Sequence, residues 1–262
     1  MTPVRTSCAL PFLLALLALL RAGPIVADEN GCIACHKSED FYARQPKLYS
    51  YYQNWVQSEH SQAGVTCDDC HGGVATATNA AEAHAGVFPV SDPRSRLHFT
   101  RQPETCGSCH RGKQKQFEQS KHFGALMAET EPAPTCTTCH PAMNKRPSYK
   151  NIVLNACTSC HAPGNRQKLP PVVDEAETLL RHVNMTKGML GWTSLHYEAL
   201  QWPGDSRPRV LALEQRYEKI VSRIHRFDLE ASEEATMSLL EDLRAIFDAE
   251  KTAKGAARAK DP

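Results

Sequence analysis

Five short segments repeat one arrangement of side chains, Cys-x-x-Cys-His, and we number them units 1 to 5 in chain order. Two thiols three residues apart can form thioether bonds to the vinyl groups of one haem, and the histidine that follows can ligate its iron. We therefore predict five covalently attached haem c groups. The predicted thioether cysteines are Cys32 and Cys35, Cys67 and Cys70, Cys106 and Cys109, Cys136 and Cys139, and Cys157 and Cys160. The predicted proximal iron ligands are His36, His71, His110, His140 and His161.

Structural zinc is the alternative reading of paired Cys-x-x-Cys motifs. A zinc site does not require a histidine directly after the second cysteine, whereas all five units carry one. Ten of the 11 cysteines fall in the units, and the eleventh, Cys8, lies in the N-terminal leader. The pattern therefore favours haem over zinc or a disulfide framework.

Other histidines are candidates for the second, distal iron ligand. Ser58-Glu-His60 and Ser120-Lys-His122 repeat a Ser-x-His pattern, each three residues after an aromatic side chain and ahead of a unit, so we predict that both histidines ligate iron. His84, in an alanine-rich segment, and His225, at the edge of a helical apolar stripe, are the next candidates. His98, His182 and His196 could be ligands or ordinary histidines.

The chain is predicted to be mainly α-helical, with a loop-rich haem-binding core at 28–169 and long amphipathic helices at 170–250. Turn-forming residues are concentrated in the core, where short helices are expected near 49–59 and 113–128. Beyond Pro170, apolar residues recur with helical periodicity, and Ser232 is a candidate N-cap for the last helix. The alanine- and lysine-rich tail, 251–262, is expected to be disordered.

Residues 1–27 are typical of a cleavable signal peptide. Arg5 precedes an apolar run of twelve residues, Ala9 to Leu20, which is short for a membrane span of about 20 residues. We therefore expect export to the periplasm, or, if the leader stays attached, anchoring to the outer side of the inner membrane. The 30 basic and 29 acidic residues nearly balance, so no basic surface indicates nucleic-acid binding.

The five units, the two Ser-x-His segments and the Cys67-Asp-Asp-Cys-His-Gly-Gly73 sequence resemble the multihaem cytochrome c superfamily. Its members include octahaem hydroxylamine oxidoreductases, pentahaem nitrite reductases and small tetrahaem electron carriers. The resemblance extends over about residues 31 to 249. It implies haems packed in parallel and perpendicular pairs, with distal ligands from remote parts of the chain. The Cys-x-x-Cys-Lys unit typical of the nitrite reductases is missing here.

From these features we expect a periplasmic pentahaem cytochrome that carries electrons between redox partners. The expected partners are a membrane quinol-oxidising cytochrome, a terminal reductase or another redox protein, and the C-terminal helices could form an oligomer. The alternative is a multihaem reductase or oxidoreductase that acts on a small nitrogen or sulfur compound at one haem with an open iron coordination position.

Overall fold

The computed structural model describes residues 30–129, 133–141, 143, 148–162, 170–199 and 206–258. The described residues form helices, turns and loops without a β-strand, which confirms the prediction of a mainly α fold. The predicted signal peptide and residues 259–262 lie outside the described residues. No helix in the described ranges is long and apolar enough to span a membrane.

The first part of the described chain consists of short helices joined by turns. In chain order they are α1 (Gly31–His36), α2 (Glu39–Arg44), α3 (Pro46–Val56), α4 (Glu59–Gln62), α5 (Cys67–His71), α6 (Ala80–Ala83), α7 (Gln102–Gly107), α8 (Arg111–Phe117), α9 (Lys121–Ala128), α10 (Cys136–Cys139), α11 (Tyr149–Ile152) and α12 (Thr158–His161). A π-helical turn, Val153–Cys157, leads into α12. Each short region where we predicted one helix contains two, because Ser58 and Ser120 interrupt it.

Three long helices form the C-terminal part: α13 (Pro171–His196), α14 (Arg207–Ile224) and α15 (Leu229–Arg258). They pack around one apolar cluster, which consists of Leu190, Leu213, Ile220, Leu239 and Leu243. The apolar stripes inferred from the sequence therefore bury against one another. Burial of such side chains stabilises a helix packing by about 1.5–3 kcal/mol each.

The last helix differs from the prediction at both ends. It begins at Leu229, and the Asp228 carboxylate accepts a hydrogen bond from the amide of Ala231 at 3.4 Å. Ser232 is fully buried inside the first turns rather than capping them. At the other end, α15 continues to Arg258, past the residue at which we expected disorder to begin, since alanine and lysine are favourable helix residues.

The first part buries few large apolar side chains compared with the C-terminal helices. Its fully buried members are Leu126 and Val153, whereas Phe117 is 8% exposed. Contacts between α8 and α14 join the two parts, and Lys113 on α8 forms an ion pair with Glu218 on α14. A small apolar interior is what we expect where cofactors supply much of the buried surface.

Candidate haem-binding sites

Each cysteine pair lies on, or at the end of, a short helical turn, which directs residues three apart to the same side. Local side chains fix where these turns begin. Asn30 accepts hydrogen bonds from the amides of Cys32 and Ile33, and Thr66 forms a capping box with Asp69 ahead of unit 2. Unit 4 has the corresponding box between Thr135 and Thr138. The cysteines are therefore held by helix starts that are specified in the sequence.

Units 1 and 2 are tied together directly. The side-chain amide of Asn30 donates a hydrogen bond to a carboxylate oxygen of Asp68 at 2.8 Å. The backbone amide of Gly31 donates one to the Ala75 carbonyl at 2.6 Å. A Cβ atom at position 31 would lie 2.6 Å from the Ala77 carbonyl oxygen. Glycine is required here because the two segments approach this closely.

Units 3 and 4 are joined by one glutamine. The side-chain oxygen of Gln102, at the start of α7, accepts hydrogen bonds from the hydroxyls of Thr135 at 3.1 Å and Thr137 at 2.8 Å. Both threonines belong to the turn that begins unit 4. The cysteines of the two units are consequently neighbours.

Cysteines of successive units approach one another all along the chain. Burial raises the pKa of Cys67 and of Cys70 in unit 2, and nearby cysteines of the adjoining units add to it: Cys32 of unit 1 at Cys67, and Cys109 of unit 3 at Cys70. The neighbouring thiol of Cys136 in unit 4, followed by burial, raises the pKa of Cys106 in unit 3. Unit 4 approaches unit 5 through Cys139, whose pKa is raised by burial and by the nearby Cys157 of unit 5. The spatial order of the units is thus their order in the sequence.

Four motif histidines each face a histidine from elsewhere in the chain. The distances between ring centroids are 6.0 or 6.1 Å in all four cases. The pairs, with the motif residue first, are His36 with His84, His110 with His60, His161 with His122, and His140 with His225. These partners are the four histidines for which the sequence favoured distal ligation.

The spacing of the pairs fits an iron between two imidazoles. Metal–nitrogen bonds of about 2.0 Å on opposite sides of one iron place the two ring centroids about 6 Å apart. The angle between ring planes differs between pairs, from 23° for His140 and His225 to 70° for His122 and His161. The donor set therefore fits the axial positions of four haems.

The Ser-x-His pattern has a structural cause. Ser58 accepts a hydrogen bond from the amide of Ser61 at 3.2 Å, and Ser120 accepts one from the amide of Phe123 at 3.0 Å. Each serine is therefore the N-cap of a new helix, α4 or α9, and the histidine is the second residue of that helix. Both serines are buried, so the cap fixes the direction in which the imidazole leaves the backbone.

His84 is carried to unit 1 by the glycines that follow unit 2. Gly73 has φ +92°, and the next residue, Val74, donates its amide to the Ala83 carbonyl at 3.0 Å. A Cβ atom at position 73 would lie 2.4 Å from that same carbonyl oxygen. Only glycine lets this loop close against α6 and hold His84 beside His36.

His225 follows the last residue of α14, and its Nδ1 hydrogen bonds the Val221 carbonyl at 2.9 Å. Burial lowers the pKa of His225, and it likewise lowers the pKa of His36, His110 and His122. A lowered pKa keeps an imidazole neutral near pH 7. The neutral form is the one that binds a metal.

His71 of unit 2 differs from the other motif histidines. No histidine among the described residues makes a ring contact with it, although burial lowers its pKa as for the others. The three remaining histidines have other contacts: His98 bonds the Thr100 hydroxyl, His182 pairs with Glu233, and His196 stacks on a tryptophan.

Two aromatic contacts of the ligand candidates were not predicted. Phe41 stacks on His36 with ring centroids 4.4 Å apart, and its position five residues later could have indicated this. Phe227 packs edge-on against His122 at 4.2 Å. The sequence offers no indication of that contact, because the two residues are 105 positions apart.

The site fits haem better than a bare metal ion. In the described parts of the chain, no three Cys, His, Asp or Glu side chains converge as they would around zinc. Burial also raises the pKa of Cys67 and of Cys139 to about 11, which favours the thiol over the metal-binding thiolate. The cysteines of the described units are not paired in disulfides.

Comparisons with known proteins agree with these features. Residues 105–185, which contain units 3 to 5, match the family described as cytochrome c554 and c-prime. The C-type polyheme cytochrome OmcB of Geobacter sulfurreducens is 22% identical over 53% of this chain and 26% of its own length. OmcC of the same species is 24% identical over 55% of this chain and 17% of its own length. This chain thus spans about a quarter of these relatives or less, and no solved structure matches it.

The repeated units and these matches define a cytochrome c, in which haem is bound covalently. Within that class, the five units and the polyheme relatives support a multihaem c-type cytochrome. The resemblance inferred from the sequence is confirmed at this level. The number of haems and the distal ligands remain predictions.

Proposed function

We propose that this protein is a periplasmic pentahaem cytochrome that transfers electrons along five haems arranged in the order of units 1 to 5. When bound, the haems supply the one-electron chemistry. The observation that carries the proposal is the set of four histidine pairs at one spacing, on attachment units that contact each other in sequence.

The chain contributes a fixed ligand environment. Two imidazoles held by N-caps and helix ends keep the iron coordination nearly the same in both oxidation states, so little reorganisation accompanies electron transfer. The histidine pairs also connect distant segments: unit 3 is paired with a residue that precedes unit 2, and unit 4 with the end of α14. This interlacing opposes independent movement of the units.

Units 1 and 5 are the proposed ends of the electron path. Cys35 and Cys160 are exposed, as is Cys109 in unit 3, and the exposure of the first two supports access of redox partners at both ends. A quinol-oxidising membrane cytochrome at one end and a terminal reductase or other redox protein at the other would dock transiently. The apolar stripes of helices α13 to α15 bury against one another in a shared core. The proposed oligomer would therefore use the outer faces of these helices, where Leu195 and Leu211 are exposed.

Stopped-flow reduction of the purified holoprotein tests the proposal. After an electron donor is added, all five haems should be reduced in rapid, coupled phases, and the mass should exceed that of the processed polypeptide by five haems. Fewer haems by mass, or haems that are reduced independently and slowly, would contradict the proposed electron path.

A second candidate is a reductase or oxidoreductase whose substrate binds at unit 2. Two observations favour it: among the described residues no histidine ring pairs with His71, and the Arg96 side chain lies against the neighbouring Gly72. The Arg96 guanidinium donates a hydrogen bond to the Asp68 carbonyl at 3.4 Å. Arg96 could thereby orient a small anion such as an oxyanion of nitrogen or sulfur. Spectral titration of the reduced and oxidised protein with nitrite and cyanide tests this: binding to one haem in five supports it, and no binding removes it.

A further inference from the structure

The predicted distal histidines of units 1, 4 and 5 differ in the hydrogen bond made by Nδ1, the ring nitrogen that stays available when Nε2 binds the iron. Nδ1 of His84 hydrogen bonds the Ala80 carbonyl at 2.8 Å, and Nδ1 of His225 bonds the Val221 carbonyl at 2.9 Å. Nδ1 of His122 is buried and has no hydrogen-bond partner among the described residues. The distal histidine of unit 5 is thus the exception.

The surroundings of His122 explain the lack of an acceptor. His122 is the second residue of α9, where no preceding turn of helix offers a carbonyl four residues back. Phe227 covers the imidazole edge-on at 4.2 Å, and its ring also contacts Phe117 with centroids 6.4 Å apart. Aromatic edges and faces provide no strong acceptor for an N–H group.

The hydrogen bond of a metal-bound imidazole changes the metal. A carbonyl that accepts from the distant ring nitrogen makes the imidazole a stronger electron donor, which stabilises ferric over ferrous iron. Hydrogen bonding and burial are among the factors that set a haem's reduction potential. Without the acceptor, ferrous iron is relatively favoured and the potential rises.

We propose that the haem of unit 5 has a higher reduction potential than the haems of units 1 and 4, because no hydrogen-bond acceptor in the described part of the chain lies beside Nδ1 of His122. Electrons that enter at unit 1 are then collected at unit 5, which makes unit 5 the end that delivers them. This inference rests on the proposed electron-transfer function and adds a direction to it.

Phe227 is a positioning residue in this arrangement. Its backbone has φ +59°, a region that a phenylalanine rarely adopts and that asparagine tolerates better. The segment that contains it follows directly from His225, the distal candidate of unit 4. One turn after α14 thereby sets the environment of two units.

The test uses the holoprotein with Phe227→Asn and Phe227→Leu. Asparagine suits the backbone and brings an amide oxygen that can accept from Nδ1 of His122. Leucine keeps the site apolar and is the matched control. Potentials are measured by redox titration monitored with electron paramagnetic resonance, and His122→Met identifies the unit 5 step, because methionine ligation raises the potential.

Unit 5 should titrate above units 1 and 4 in the wild-type protein. Phe227→Asn should lower the equilibrium constant for reduction of the unit 5 haem about tenfold, which corresponds to a potential lower by about 59 mV for one electron. Phe227→Leu should change this constant less than threefold. A unit 5 potential below that of unit 1, or equal shifts in both variants, would overturn the inference. Rapid reduction of all five haems alongside such a result would leave the electron-transfer function intact, whereas slow, independent reduction of the haems would contradict that function itself.

Discussion

Replacing Gly73 by alanine should detach His84 from its position beside His36 without disturbing the other histidine pairs. The added Cβ would lie 2.4 Å from the Ala83 carbonyl oxygen, at a backbone φ of +92°. That carbonyl must retreat by about 1 Å to regain ordinary van der Waals separation. A ligand site tolerates only about 0.5 Å of displacement, so the histidine that follows Ala83 is expected to leave the iron.

Gly64→Ala is the matched control. Gly64 also has a positive φ, +76°, but a Cβ atom there would meet nothing within 4 Å. Both variants incur the left-handed backbone cost of about 1–2 kcal/mol. The clash with the Ala83 carbonyl is present only at position 73, so a difference between the variants measures that clash.

The assay is quantitative electron paramagnetic resonance of the oxidised holoproteins at equal haem content. Gly73→Ala should convert one low-spin haem per molecule to a high-spin form, and Gly64→Ala should leave the spectrum unchanged. An unchanged spectrum in Gly73→Ala would refute the placement of His84, and the same loss in both variants would refute the role of the close approach.

Three further changes test separate parts of the structure. His225→Ala should convert the haem of unit 4 alone to high spin, which magnetic circular dichroism would detect; loss of more than one low-spin haem would refute the pairing with His140. Ser120→Ala should remove the N-cap of α9 and lower the free energy of unfolding by about 1 kcal/mol, whereas Ser120→Thr keeps a hydroxyl cap; equal denaturation midpoints for the two would contradict this role. Leu243→Ala should reduce the stability of the three-helix core by about 2–5 kcal/mol, measured by urea denaturation, and a change below about 1 kcal/mol would show that the cluster is not tightly packed.

The chemistry of the site was predictable because it is written in contiguous residues. A Cys-x-x-Cys-His unit contains both predicted thioether cysteines and the predicted proximal ligand within five positions. The Ser-x-His pattern reflects a helix N-cap, which also depends on neighbouring residues only. The long C-terminal helices were predictable from their apolar periodicity for the same reason. Local rules did not fix the start of α15, because Ser232, a typical capping residue, is instead fully buried within the helix.

The partner of each motif histidine could not be derived from the sequence. His60 and His122 each precede a unit, yet they face units 3 and 5 rather than the units that follow them directly. Such pairings depend on tertiary contacts. The loop at Gly73 closes against Ala83, and Phe227 packs against His122, which is far away in the chain. The sequence favoured the same four of seven candidate histidines that face a motif histidine, but only the tertiary structure shows which unit each of them faces.

Near-infrared magnetic circular dichroism of the fully oxidised holoprotein tests the central claim most directly, because its charge-transfer bands distinguish iron bound by two imidazoles from other axial pairs. We predict four haems per molecule with two histidine ligands and a fifth, that of unit 2, without the second histidine. Five bis-histidine haems, or fewer than four, would contradict the pairing described for this chain.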